Sequence, residues 1–167
     1  MAYVCSALLA GALLGLDQWV KRWVSLHIPL GEARPFLPGL MELRTVHNYG
    51  AAWSSFSGMR WMLLTVTGAI VLAILFLLAR RIVRHPLGVL GCCLIVSGGL
   101  GNILDRFRLG YVVDMFSLQF MDFPVFNVAD ICINIGCVLG LIYYLFLYET
   151  RDKKGGGGDG TPDSSGL

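Results

Sequence analysis

Two aspartates stand in short polar signatures within an otherwise apolar chain: Asp114 in Tyr111-Val-Val-Asp-Met115 and Asp130 in Phe126-Asn-Val-Ala-Asp130. A carboxylate at the centre of a membrane-spanning helix costs roughly 2.5–3.5 kcal/mol on insertion scales. Two of them beside adjacent apolar stretches suggest shared work. The chemistry that most often needs two neighbouring carboxylates is general acid–base catalysis on a water molecule. Asn127 and Asp130 also admit a structural explanation, because Asn before a helix with an acid three residues on forms a capping box. Asp114 has no capping role; it follows Val112 and Val113 in a short apolar patch.

Other polar groups punctuate the apolar text. Asp17 and Lys21 are four apart, acid before base, which favours a helical ion pair; alternatively Lys21 faces a cavity at the outer interface. Asn48-Tyr-Gly-Ala-Ala-Trp53 has the composition of a turn, although the Asn48 amide could instead hold a substrate backbone. Ser97-Gly-Gly-Leu-Gly-Asn102 is not a phosphate loop, because no strand precedes it and the Gly-Lys-Ser/Thr ending is absent. In a span, Gly98 and Gly101 make a close helix–helix contact. Asn102, Asp105 and Arg106 share one helix face, with an exposed Asp105–Arg106 pair as the structural alternative. The five cysteines (Cys5, Cys92, Cys93, Cys132, Cys137) form no C-x-x-C pair and read as small buried hydrophobes. None of the three histidines (His27, His47, His85) shares an apolar span with them, as a cysteine nucleophile would require.

The elements that must position these groups follow from hydropathy. Hydrophobic residues make up 56 % of the 167-residue chain and charged residues only 14 %, against roughly a quarter charged in soluble domains. One small core cannot hide that much apolar surface, whereas a bilayer can. A net charge of +2, on dispersed basic residues, excludes a nucleic-acid partner. Four apolar runs cover residues 1–16 (extended past Asp17 by Trp19 and Val20), 61–79, 86–104 and 131–148. A spanning helix needs about 20 residues. The first and fourth runs reach this only by including Asp17 and Asp130, which places both aspartates near helix ends. No Lys or Arg precedes Lys21, so the first run is a retained helix and not a signal peptide.

The expected architecture is an all-α membrane protein of four transmembrane helices within residues 1–150. An extracytoplasmic segment at about 26–60 carries a small β element, since residues 41–46 alternate like a strand. Residues 151–167 form a disordered cytoplasmic tail, rich in Gly, Ser and Asp. The dense clusters Arg80, Arg81, Arg84 and Arg151, Lys153, Lys154 place both termini in the cytoplasm. Lys21, Arg22, Arg34, Arg44, Arg60, Arg106 and Arg108 lie on the opposite side, spread over longer segments.

In this order and at these spacings, the motifs resemble those of bacterial lipoprotein signal peptidases (signal peptidase II), which are aspartyl intramembrane proteases. The resemblance runs from Asp17 to about Tyr148. The family's Asp-x-x-x-Lys matches Asp17 to Lys21. Its Asn-x-Gly-Ala-Ala-aromatic matches Asn48 to Trp53, and its Gly-Gly-x-x-Gly-Asn-x-x-Asp-Arg matches Ser97 to Arg106, with Ser97 in place of the first Gly. Val-Val-Asp and Phe-Asn-x-Ala-Asp are intact. The resemblance implies Asp114 and Asp130 as the catalytic pair. It implies Asp17, Lys21, Asn48, Gly50, Gly101, Asn102, Asp105, Arg106 and Asn127 as the substrate-binding or supporting set, and an extracytoplasmic β-cradle at residues 26–46. It implies cleavage just before a diacylglyceryl-modified cysteine in a prolipoprotein, with no metal or cofactor, by a monomer in contact with membrane lipids of the bacterial inner membrane. If Asn127 caps a helix, its dipole favours an ionised Asp130 as base, while the apolar neighbours of Asp114 favour a protonated acid there. Two other classes stay open on the residues alone: a proton-coupled transporter, which would show inverted repeats or broken helices, and a non-catalytic assembly protein, which would need no water-accessible carboxylate pair.

Overall fold

The computed structural model describes residues 1–50 and 55–147. Ala51, Ala52 and Trp53 of the Asn48 motif, Tyr148, the basic residues Arg151, Lys153 and Lys154, and the tail lie outside the described residues. Four helices organise the chain: α1 (Ala2–His27), α2 (Arg60–Ala79), α3 (Pro86–Arg108) and α4 (Val128–Ile142), the last continued by a π-helical turn, Tyr143–Leu147. All four are long and apolar enough to cross a membrane. They are not equivalent. In α3, 61 % of the most apolar window is buried inside the protein, against 17 % in α1, 6 % in α2 and 17 % in α4. α3 is therefore the central pole, and the other three turn broad apolar faces outward to hydrocarbon.

Close approach to α3 depends on small residues, because lipid offers no hydrophobic drive for helix association. A β-carbon on Gly91 would lie 2.9 Å from the Gly136 carbonyl oxygen of α4, and one on Gly98 would overlap the Ala129 carbonyl. A β-carbon on Gly101 would lie 2.7 Å from the Asp17 carboxylate of α1. The close contact expected at Gly98 and Gly101 is thus present. Ser97 ties α3 to α1 by donating to the Ala10 carbonyl at 2.7 Å.

At one end of the bundle sits a three-stranded antiparallel sheet, ordered β1 (Ala33–Leu37), β2 (Met41–Asn48) and β3 (Val112–Leu118). The strand expected at 41–46 continues to Asn48. β3 was not legible in the sequence, because Val112, Val113, Asp114 and Met115 are all buried. A strand covered on both faces loses the alternation that marks a half-exposed one. Val113 and Met115 pack on Val24 of α1 and on Ile28 just after it, whereas Val112 and Asp114 line a cavity on the opposite face. The other end of the bundle holds the N-terminus beside the α2–α3 connection, where the Tyr3 hydroxyl donates to the Val83 carbonyl.

Two expectations are corrected. Asp17 is not near a helix end: α1 runs on to His27, and Asp17 is 1 % exposed inside the bundle. Its charge is tolerated there because Lys21 and a backbone N–H meet it. The cysteines are not uniformly buried. Cys93 and Cys132 are, Cys92 is partly covered, and Cys5 and Cys137 lie on the outer surface. In a bundle surrounded by hydrocarbon, an apolar side chain need not point inward.

Candidate active site

Asp114 and Asp130 reach one cavity by different routes. Asp114 is carried by β3, opposite Val46 of β2, with Asn48 paired to Val112. Asp130 is the third residue of α4, in its first turn. The segment before α4 is stitched to β3: Phe126 accepts at its carbonyl from the Met115 and Phe116 N–H groups at 3.0 and 2.8 Å. That stitch sets Asn127 between the two acids.

Asn127 is wholly buried and touches both carboxyls. Its Nδ2 donates to Asp114 Oδ1 at 2.6 Å, and its backbone N–H donates to Asp130 Oδ2 at 3.1 Å. Its Oδ1 accepts from the Asp130 N–H at 2.9 Å, which completes the capping box. The cap and the site are the same set of bonds, so the two explanations weighed for Asn127 and Asp130 do not compete. Asn48 Nδ2 donates to Asp114 Oδ2 at 2.9 Å, and its Oδ1 accepts from Gly50 N–H at 2.9 Å. It is likewise both turn former and carboxyl partner. Asn102 Nδ2 donates to Asp130 Oδ1 at 2.8 Å. Asp114, isolated in the sequence, therefore has two amide donors in space.

The orientation of these amides is forced. Lys21 Nζ carries only donors, so the atom of Asn102 that it meets at 3.0 Å must be the carbonyl oxygen. Backbone N–H groups impose the same requirement on Asn127 and Asn48. Each amide is then left with its NH2 group towards a carboxyl. All four carboxyl oxygens accept one fixed hydrogen bond, and each retains a second lone pair.

Behind Asn102 lies a buried charge cluster. Lys21 Nζ is 2.9 Å from both Asp17 Oδ2 and Asp105 Oδ2. Asp17 Oδ1 accepts from the Ala129 N–H at 2.8 Å, and Asp105 Oδ2 from the Val113 N–H at 3.3 Å. The cluster thus grips the chain directly beside Asp130 and Asp114. The expected Asp17–Lys21 pair is present. Lys21 also lies on the wall of a second cavity of about 540 Å³ between α1 and α3, with its ammonium turned to its acids. The expected exposed Asp105–Arg106 pair is absent. Both are buried, and consecutive residues on a helix point to different neighbours. Asp105 meets Lys21, while Arg106 donates to the Gly50 carbonyl at 2.7 Å. Gly50 and Gly101 act through backbone and space: Gly50 receives Arg106, and Gly101 leaves room for Asp17.

Two polar residues escaped the sequence analysis. Gln18 donates to Asp105 Oδ1 at 3.0 Å and lies within hydrogen-bond reach of Asp17 and the Gly101 carbonyl. Asn134 lines the acid cavity four residues after Asp130. The available signal for both was a lone amide within an apolar run.

The cavity holds about 360 Å³ and is walled by Asn48, Asn102, Arg106, Asp114 and Asp130 on its polar side and Phe123, Pro124 and Phe126 on its apolar side. Asp114 is 2 % exposed. Burial first, and the facing Asp130 carboxyl second, push its pKa up to about 6. Two acids on one small cavity, one inclined to hold a proton near neutrality, can activate a water and polarise a carbonyl together.

A family model described as signal peptidase (SPase) II matches residues 9–146. The chain is 42 % identical over 135 residues to the lipoprotein signal peptidase of Lactococcus lactis subsp. cremoris (strain MG1363), covering 81 % of this chain and 89 % of that protein. It is 39 % identical over 151 residues to the lipoprotein signal peptidase of Enterococcus faecalis (strain ATCC 700802 / V583), covering 90 % and 93 %. Among solved structures it resembles a bacterial membrane enzyme determined by the in meso method at 2.3 Å resolution, with a TM-score of 0.81 and 28 % identity over 87 % of this chain and 90 % of that one.

Proposed function

The chain belongs to the signal peptidase II family, and from that premise we propose that it removes signal peptides from lipid-modified prolipoproteins with Asp114 and Asp130 as the catalytic pair. The observation that carries this reading is Asn127, which binds both carboxyls at once on the wall of a single cavity.

Asp130, in the first turn of α4 with a donor on each oxygen, is the base. It takes a proton from water as the water oxygen bonds to the scissile carbonyl carbon. Asp114, protonated, donates a hydrogen bond to the carbonyl oxygen and stabilises the charge that develops there. The intermediate then collapses, the C–N bond breaks, and the proton held on Asp130 passes to the amine of the lipid-modified cysteine. Asn48, Asn102 and Asn127 hold the acids, and the Lys21–Asp17–Asp105 cluster holds Asn102 and the flanking backbone. Arg106, one wall of the cavity, anchors Gly50.

The enzyme resides in a bacterial inner membrane, multi-pass, with the sheet and the cavity at the extracytoplasmic end and both termini in the cytoplasm. It works as a monomer, a reading supported by a site built entirely from one chain and by outward faces suited to lipid. Residues 1–150 form the peptidase domain, and 151–167 a cytoplasmic tail.

The test uses purified Asp114→Asn and Asp130→Asn variants with a diacylglyceryl-modified prolipoprotein, following signal-peptide release by mass. Each variant should lose turnover by at least about 10³-fold, and the double variant little more, because a dyad acts as a unit. Turnover retained in either single variant rejects the assignment.

A further inference from the structure

From Ile131 to Ile142, α4 carries one polar side chain besides its cysteines, Asn134. It is exposed, and its carboxamide has no hydrogen-bond partner among the described residues. On a helix facing hydrocarbon such an amide gives up water and gains nothing from lipid. Asn134 does not, however, point to lipid alone. Four residues after Asp130, it shares the face of α4 that carries the acid, and it forms part of the wall of the same cavity. It lies one turn further into the span, away from the sheet.

We propose that Asn134 is a substrate-binding residue: its carboxamide pairs with the backbone of the signal-peptide segment just before the scissile bond. This rests on the assignment of Asp114 and Asp130 as the catalytic pair. A signal peptide in the bilayer satisfies its backbone by being helical. Water cannot attack a carbonyl wrapped in a helix, so the peptide must unwind at the cavity. Unwinding leaves an N–H and a C=O without partners at membrane depth. A carboxamide presents one donor and one acceptor side by side in a plane, which matches the N–H and C=O of one extended residue. The mature part of the substrate leaves towards the sheet and water. The part that passes Asn134, deeper in the span, is therefore the signal peptide. Cys137, Val138 and Leu141, exposed on the same side of α4 further along, offer neither carboxamide nor charge, so Asn134 is the last amide contact before the segment re-enters hydrocarbon as a helix.

The experiment compares wild type, Asn134→Leu and Asn134→Gln on a diacylglyceryl-modified prolipoprotein peptide. A parallel set of peptides replaces one amide N–H with an ester oxygen at each of the three positions before the scissile bond. Asn134→Leu should raise KM about three- to tenfold, the loss of one or two ordinary hydrogen bonds. It should leave kcat within about twofold, as expected for an interaction made equally in ground and transition states. Asn134→Gln, with the same amide, should recover at least half of the loss. One ester position should weaken the wild type similarly yet cost Asn134→Leu nothing further. An unchanged KM in Asn134→Leu overturns the proposal. So does an ester penalty that persists in full in that variant, which would place the contact elsewhere, on the diacylglyceryl ester for example. Leucine suits an exposed site on a spanning helix, so an unaltered thermal midpoint should accompany these effects; a drop in kcat and midpoint together without a rise in KM would mean a structural role and also overturn it. Asp114→Asn in the same assay keeps the two readings apart: turnover there rejects the catalytic pair, whereas the KM of Asn134→Leu is read on intact carboxyls.

Discussion

In the proposed mechanism Asp114 is the group whose chemistry is most sensitive to its surroundings. Its carboxyl sits at about 6, raised first by burial and then by Asp130, and lowered again in part by Asn48 and Asn127. The sign of the pH dependence follows. The protonated acid is fully present below that value and is lost as pH rises through it. In the proposed mechanism kcat/KM should therefore show a descending limb centred near pH 6. Substrate expels water from the cavity and disfavours the ionised form further, so the corresponding limb in kcat should lie at higher pH. A pH–rate series on the purified enzyme checks both. Activity that instead rises through pH 6 would assign Asp114 the ionised role and exchange the two acids. Lys21 offers a second residue-scale test. It neutralises two buried carboxylates at 2.9 Å each. Lys21→Met leaves both unpaired, and breaking a buried pair in this way costs about 3–5 kcal/mol. Thermal melts in detergent should show a large fall in midpoint, accompanied by lost activity because Asn102 loses the donor that orients it.

At the scale of elements, helix contacts are set by missing side chains. A β-carbon at Gly98 meets a backbone carbonyl, that of Ala129, which cannot rotate away. At Gly11 it meets nothing within 4 Å. Gly98→Ala should thus lower the thermal midpoint and, by shifting α4, displace Asp130 and reduce kcat. Gly11→Ala should be neutral or slightly stabilising, since alanine favours helix. Equal behaviour of the two would show that α3–α4 separation is not limited by Gly98. The same scale explains what was legible in the chain. The four spans were, because a helix facing hydrocarbon must be continuously apolar, and their bounds erred chiefly at α1, which continues past Asp17 to place Val24, and Ile28 just after its end, under the sheet. The capping box of Asn127 and Asp130 was legible because it is local. β3 was not, since both its faces are covered, and neither were the partners of Asp114, which come from residues 66 and 13 positions away. Strand pairing and the Phe126 stitch create that neighbourhood, and neither leaves a periodic trace. Gln18 and Asn134 were passed over because a single amide does not disturb an apolar average.

On the scale of the whole molecule, the cavity lies at the end of the bundle that holds the sheet, and the N-terminus meets Val83 at the other. A lipid-anchored substrate requires the cavity to open near the outer headgroups, where water reaches the peptide bond while the acyl chains stay in hydrocarbon. The proposed orientation follows from this, with the sheet outside and the α2–α3 connection inside. The charge pattern agrees in density though not in number: Arg80, Arg81 and Arg84 crowd one short connection, where the positive-inside bias acts most strongly. Of the basic residues at the sheet end, Lys21 is neutralised by its acids and Arg106 is buried against Gly50, so neither is a free charge for the bias to act on. The orientation is testable in a cysteine-free background with one cysteine introduced at a time, Glu32→Cys at the sheet end or Arg84→Cys at the other. A membrane-impermeant thiol reagent should label Glu32→Cys in intact cells and Arg84→Cys only after permeabilisation. Labelling of Arg84→Cys in intact cells, with Glu32→Cys protected, would invert the molecule and place the acids where no exported lipoprotein could present its cleavage site.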